Sequence, residues 1–491
     1  MPIICSFGNT IGLKQNLAAC FWALALIFAV ASGIDFLKNP FRIYKPEMAV
    51  ALKLAFPIIL GQLGIILMGV TDTIMVGRLG KDVLASANQA NNIFFMVSGI
   101  TFGVLYAIST LVSIKVGENR AHESFITYRA GLVVSALLFV FQFIVLEIIA
   151  YNFDWLGQDK AVTQLAPDYL HIINWSILPM LIMVAARQFT DGLGHTVVAM
   201  YITLGGLLLN AFLCYLLIYG NCGFPALGLA GAGWATLISR VLMAAAGMLS
   251  IVYHPKIKKY RPSVPPTWAE IKKEMPEIWT VGLPIALQTF AEWACFSISG
   301  IMVGWFGATR LAAHAVALNI ASVTYMVVTG FAIAGSIMVG NAYGEENKLK
   351  IKRAANAILW LIVAFELVNA LIFIFLNKPI ARLYGVSGEV EQYVLPLLLL
   401  AAVFQLADGI QAGAMNLLRG IKDVNWSSAI SVLSYWVVSL PLSYFLGVVL
   451  SGDVYGIWTG FTIGLFVAAI FGVIRFYYKH KSLSFDTYEY H

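Results

Sequence analysis

Pro284-Ile-Ala-Leu-Gln-Thr-Phe-Ala-Glu292-Trp-Ala-Cys-Phe-Ser-Ile-Ser-Gly-Ile-Met-Val-Gly304 is a hydrophobic run long enough to cross a bilayer, with a glutamate near its middle. A charged side chain at the bilayer centre costs roughly 2.5–3.5 kcal/mol even on the lenient insertion scale. A plain anchor offers nothing to offset that cost, so Glu292 marks a functional site. The chain carries a near-copy of this stretch, Pro57 to Gly77, with its own intramembrane acid, Asp72. Residues 55–119 laid over 282–346 at a constant offset of 227 match at 19 of 65 positions without a gap, prolines, glycines and loop acids included. The acids break this symmetry: Glu292 pairs with Ile65, and Asp72 with Ser299.

The rest of the chain fits a membrane bundle. Of its 491 residues 60% are hydrophobic and only 11% charged, and the mean hydropathy is +0.82. Soluble domains carry about 25% charged residues. The apolar runs are those of an all-α polytopic membrane protein, and the ten-residue alternation of a membrane β-barrel is absent. Runs fall at 17–37, 50–77, 88–114, 130–151, 165–186, 197–219, 229–253, 277–304, 313–341, 354–376, 391–417, 425–447 and 455–478. The first lies outside the repeat. Lys14 precedes it while Lys38, Arg42 and Lys45 follow, which favours an extra N-terminal helix over a cleaved signal peptide. A working start near Arg42 is the other reading. The remaining twelve spans divide six and six at the polar segment 254–276. An even number per half orients both halves alike, related by an axis along the membrane normal. The expected units are an extension 1–41, a first lobe 42–253, a cytoplasmic linker 254–276, a second lobe 277–478 and a tail 479–491. Thr267 and Glu270 form a capping box, expected to start an amphipathic surface helix.

Alternate loops differ sharply in charge. One set holds Lys115, Arg120, Arg187, the Lys256–Arg261 and Lys348–Arg353 clusters, Arg419, Lys422 and Arg475. The other holds only Arg78, Lys81, Lys160, Arg310, Lys378 and Arg382. Positive-inside bias therefore places both ends of the twelve-helix unit in the cytoplasm, in a cytoplasmic (inner) membrane. The net charge of +6 reflects these loops, not nucleic-acid binding. The five cysteines share no metal-ligand spacing and read as packing residues.

Three acids within the spans stand out. Asp72 sits about 7 Å from the end of its helix, with Gly69 and Gln62 nearby. Glu292 shares a face with Gln288 and Ser299. Asp408 lies about 16 Å before Arg419, on a stripe with Phe404, Gln411 and Met415, and Gln405 borders it. Asn210 and Asn319 complete the cavity candidates. Glu147 reads as solvated at the outer interface, and Glu366 as a deep acid with apolar neighbours. A carboxylate in low dielectric is either protonated or neutralised by a cation. Na⁺, H⁺ and an organic cation can thus compete for one site, and competition yields antiport. No cofactor is implied beyond Na⁺ or H⁺ as coupling ion, with Glu292 and Asp408 as the Na⁺ candidates. The expected partners are the lipid bilayer and small cationic drugs and dyes, for which Phe94, Phe95, Tyr325, Trp293 and several methionines offer ring faces and adaptable packing.

Several motifs together resemble a known family. Pro57-Ile-Ile-Leu-Gly-Gln62, Met68-Gly-Val-Thr-Asp-Thr-Ile-Met-Val-Gly77 and Ile301-Met-Val-Gly304 are similar to segments of multidrug and toxic compound extrusion (MATE) transporters of the bacterial NorM-like branch. So are Gln405-x-x-Asp408-x-x-Gln411 with Leu418-Arg-Gly-x-Lys422-Asp423, and Arg187-Gln-Phe-Thr-Asp191-Gly followed by Leu207-Leu-Leu-Asn210. The resemblance spans about Tyr44 to Tyr478. It implies a 12-helix fold of two six-helix lobes with pseudo-twofold symmetry, export of cationic drugs against Na⁺ or H⁺, and Asp72, Glu292 and Asp408 as the acids used. It implies a secondary transporter, expected as a monomer, not an enzyme. Phe404 stands where a tyrosine hydroxyl could coordinate an ion, so Na⁺ and H⁺ both remain open. A flippase for an amphipathic metabolite is the alternative. An intramembrane enzyme is remote, since no His-Glu-x-x-His motif or protease lead-in glycines occur.

Overall fold

The computed structural model describes residues 40–156 and 160–485; the apolar segment 17–37 lies outside them. The described chain is helical, and its spans run in two series. The first comprises α1 (Lys45–Gly77), α2 (Lys81–Gly117), α3 (Ser124–Tyr151), α4 (Lys160–Trp175), α5 (Ile177–Gly192), α6 (Thr196–Tyr219) and α7 (Gly228–Tyr253). The second comprises α8 (Trp268–Gly304), α9 (Ala308–Gly344), α10 (Lys348–Phe375), α11 (Glu389–Gly420), α12 (Val424–Ser451) and α13 (Val454–Ser482).

The run expected at 165–186 is broken: α4 and α5 form one span bent by 45°. Pro179 explains the break, because it cannot donate to the Trp175 carbonyl and its ring crowds that carbonyl. α12 contains two wide π segments, Leu433–Ser439 and Phe445–Ser451, flanking Pro441. The capping box is present, with the Thr267 N–H donating to Glu270 at 2.7 Å. It does not start a separate surface helix. The helix it caps runs on through Pro276 and Pro284 into the span that carries Glu292, and Thr280 Oγ1 donates to the carbonyl of Pro276 at 2.8 Å.

The backbone repeats as the sequence does. Gly80 and Gly307 both take left-handed φ, 122° and 99°, and so do Asn119 and Glu346, at 58° and 55°. α1 and α8 play matching crossed roles. Ile278 to Ala286 of α8 pack in the core of the first series, while Cys295 to Val303 pack in that of the second. Conversely, Ala51 to Ile58 of α1 pack against Phe331 and Ile358, and Val76 returns to the first-series core. Glu292 sits where α8 changes sides.

The two series close on each other at the basic end. A Cβ on Gly117 would strike the Asn341 carbonyl, and one on Gly344 the Ile114 carbonyl, a reciprocal contact about the pseudo-twofold axis that only glycine permits. Around it, Lys115 pairs with Glu274, which also accepts from Thr127 at 2.6 Å. Asn356 donates to Tyr44 Oη at 2.8 Å, and Glu47 lies 3.9 Å from Arg353.

Candidate functional site: an acidic cluster and a separate cavity

The second series gathers polar groups from four helices at the level of Glu292. Tyr325 of α9 donates its hydroxyl to Glu292 Oε1 at 3.1 Å. Asp408 of α11 is buried, its Oδ1 has no hydrogen-bond partner, and its electrostatic neighbours are Glu292 and Glu366. Glu366 of α10 is held through Oε2 by Asn369 at 3.1 Å, with Oε1 unpartnered. It packs so closely on Gly409 that a Cβ there would lie 3.0 Å from its Cγ. Tyr435, in the first π segment of α12, is fully buried; its hydroxyl lacks a partner and feels the charges of Glu292 and Asp408. The wide turn keeps this part of α12 against α8: Trp436 donates to the Ala291 carbonyl at 3.2 Å. A buried polar atom without a partner costs about 1–3 kcal/mol. The cluster carries three such atoms, on Asp408, Glu366 and Tyr435.

The other candidates take different places. Gln288 accepts from Arg419 at 3.1 Å and Ser427 at 3.0 Å, tying α8 to α11 and α12. Gln405 donates to the Ala321 carbonyl at 2.9 Å and meets Thr324. Ser299 bonds within its own helix, to the Phe296 carbonyl at 2.7 Å. Phe404 packs in an aromatic cluster with Trp458 and Phe461. Gln411 keeps an unpartnered Oε1. Asn319 is exposed and accepts from Tyr384 at 3.1 Å. Among the described residues no group of three or more His, Cys, Asp or Glu could hold a metal ion.

Asp72 does not share this cluster. It turns into a cavity of about 210 Å³, lined mainly by the first series, with Tyr169, Asn91, Arg187, Arg240 and several methionines, and by Ile333 of α9. Cys214 donates to Asp72 Oδ1 at 3.4 Å, and Asn210, one turn earlier on α6, is buried with neither amide atom partnered. The neighbours of Asp72 are Cys214 and Arg240, and those of Glu292 are Tyr325 and Arg419. Glu147 is corrected: it is bound between Asn174 (2.7 Å) and His171 (2.8 Å) rather than simply solvated.

Sequence reasoning missed Tyr435, Arg240 and the inward role of Arg419. Arg240 had a signal, a lone arginine midway along an apolar run. Arg419 looked like a loop charge because it ends α11, but its guanidinium turns back to Gln288. Tyr435 had none, since only the π segment brings it to the acids.

The MatE family model matches residues 57–216 and 284–445, the two halves of the repeat. The chain belongs to the MatE family of membrane transporters. This MatE chain is 34% identical over 434 residues to the "Probable multidrug resistance protein NorM" of Rhizobium meliloti (strain 1021), covering 87% of the chain and 92% of that relative. It is 32% identical to the protein of the same name from Pseudomonas putida, covering 89% and 96%. Its fold is similar to the crystal structure of the eukaryotic MATE transporter AtDTX14 (TM-score 0.81, 19% identity, 89% and 99% covered). It is also similar to the outward-facing conformation of a multidrug resistance MATE family transporter of the MOP superfamily (TM-score 0.79, 22% identity, 89% and 96% covered).

Proposed function

We propose that this MatE-family transporter exports amphipathic organic cations across the cytoplasmic membrane in exchange for Na⁺ or H⁺, by alternating access. The names of its NorM relatives support the multidrug reading. The observation that carries the coupling is the acidic cluster: Asp408 Oδ1 and the Tyr435 hydroxyl are buried and unpartnered beside Glu292. Such a site holds one cation at a time in a low-dielectric setting, so the coupling ion and the drug displace each other. Tyr435 and Tyr325 supply the hydroxyl oxygens that Phe404 lacks, which keeps Na⁺ available as the ion. Inward Na⁺ or H⁺ gains about 2.3 kcal/mol per charge per 100 mV from the membrane potential. Residues 42–253 and 277–478 act as the rocking lobes, and the closed basic end, with both ends of the twelve-helix unit on that side in the cytoplasm, corresponds to an outward-open state. Ethidium transport in vesicles under a Na⁺ or an H⁺ gradient, imposed separately, tests this. One gradient drives transport, and Glu292→Gln and Asp408→Asn abolish it. Full transport in both variants refutes the mechanism.

A further inference from the structure

Each series ends one helix in the same turn, and the two turns carry opposite charges. α5 closes with Asp191-Gly192 and α11 with Arg419-Gly420. Two residues beyond, Gly194 and Lys422 both take left-handed φ, 76° and 58°. Their N–H groups return to the carbonyls of Asp191 at 2.8 Å and Arg419 at 2.9 Å. In the first series Arg187 stands one helical turn before Asp191 and is paired with it at 3.5 Å. In the second, Met415 holds the place of Arg187, so α11 offers Arg419 no acid to pair with.

Arg419 is held instead by a neutral group. Its Nη2 donates to Gln288 Oε1 at 3.1 Å, an oxygen that also accepts from Ser427 at 3.0 Å, and its buried Nε has no acceptor. Its basic neighbours are paired, Lys422 with Glu277 at 2.6 Å and Arg475 with Asp423 at 2.7 Å. Arg419 has no ion pair among the described residues, and the acid it feels is Glu292. A sheltered guanidinium without a carboxylate is costly. Glu292 lies one turn beyond Gln288 on the same face of α8, about 6 Å along the axis. That shift is within the swing of a long, rotamer-rich arginine side chain. Glu292 itself is held by one donor, the Tyr325 hydroxyl at 3.1 Å.

We infer that Arg419 is a tethered competitor for Glu292: Gln288 latches its guanidinium one turn short of the carboxylate, and once released it takes the place of the transported cation. The inference rests on the efflux reading and adds how the site empties. Arg419 belongs to the basic end, so it reaches Glu292 from the side towards which the coupling ion leaves. Tethering gives it a high local concentration there, against which a free cation must compete. The latch therefore sets the affinity of the site, which falls with the fraction of time that Arg419 occupies Glu292.

Gln288→Met opens the latch, because it keeps the length of the side chain and removes the acceptor. Ethidium binding is read by fluorescence polarisation on the purified full chain, in choline buffer at fixed pH. The variant binds roughly tenfold more weakly than the wild type, the factor for an arginine that occupies Glu292 about nine-tenths of the time. Adding Arg419→Met restores the wild-type affinity or exceeds it. Arg419→Met alone binds ethidium at least as tightly as the wild type. Unchanged affinity in Gln288→Met overturns the inference, and so does weaker binding in Arg419→Met alone. A loss that persists in the double variant also overturns it, since Gln288 would then be only a tie between α8 and α11. The Gln288–Arg419 cycle decides the competition. Gradient-driven transport in Glu292→Gln decides the efflux reading, so the two fail separately.

Discussion

Tyr435→Phe should make the protein more stable without ions and less responsive to them. The Tyr435 ring is fully buried, packed on Phe461 with centroids 6.5 Å apart, and its hydroxyl has no partner. Phenylalanine keeps the ring contacts and the backbone carbonyl that faces Cys295 at 3.6 Å, and removes only the unpaired group. The gain is the penalty of an unmade hydrogen bond, about 1–3 kcal/mol. For a chain of this size that is a rise of roughly 1–5 °C in the unfolding midpoint in choline buffer. If the hydroxyl is a ligand for the coupling ion, its loss weakens ion binding by roughly tenfold or more. The stabilisation by Na⁺, which grows with the logarithm of ion concentration over its dissociation constant, then shrinks in the variant. Thermal unfolding in detergent across a Na⁺ titration reads both effects, and the two curves cross. A variant less stable than wild type in choline, or one with an unchanged Na⁺ response, would refute the reasoning.

Three further outcomes follow from the closed basic end and the exposed turns. Gly344→Ala would put a Cβ 2.9 Å from the Glu118 amide and against the Ile114 carbonyl, backbone that cannot swing aside. Overpacking of about 1–3 kcal/mol should depopulate the closed basic end some 5- to 150-fold, seen as longer distances between spin labels at positions 120 and 348. An unchanged distance distribution would count against this contact as the seal. Lys115→Met strands the carboxylate of Glu274 and should cost about 3 kcal/mol, whereas Lys115→Met with Glu274→Met together should be near neutral; additive costs in that cycle would exclude a coupled pair. Cys222 is exposed in the turn after α6, while Cys214 and Cys295 are buried. With Cys5 and Cys20 replaced by serine, an impermeant maleimide should label intact cells at Cys222, and labelling only after lysis would invert the topology.

The twelve spans and the two-part repeat were readable because the bilayer forces long apolar runs and the offset of 227 aligns prolines and glycines that serve the same backbone duty in both halves. The break at Ser176 was readable in principle from Pro179, but hydropathy alone does not register a kink. The acids Glu292 and Asp408 stood out because charge in an apolar run is expensive. Their arrangement did not: the wide turn that delivers Tyr435 and the crossing of α8 from one core to the other are properties of packing. Helix spacing says which residues share a face but not which neighbour that face meets, so Cys214 and Arg240 beside Asp72 were not readable either.

Drug and ion are proposed to compete at the Glu292–Asp408–Tyr435 cluster. Ion release on drug binding measures it directly. Ethidium added to the purified, weakly buffered protein should liberate about one Na⁺ or one H⁺ per bound drug, read with an ion-selective electrode, and Asp408→Asn should liberate none. Drug binding at full affinity with no ion released from the wild type would contradict the account.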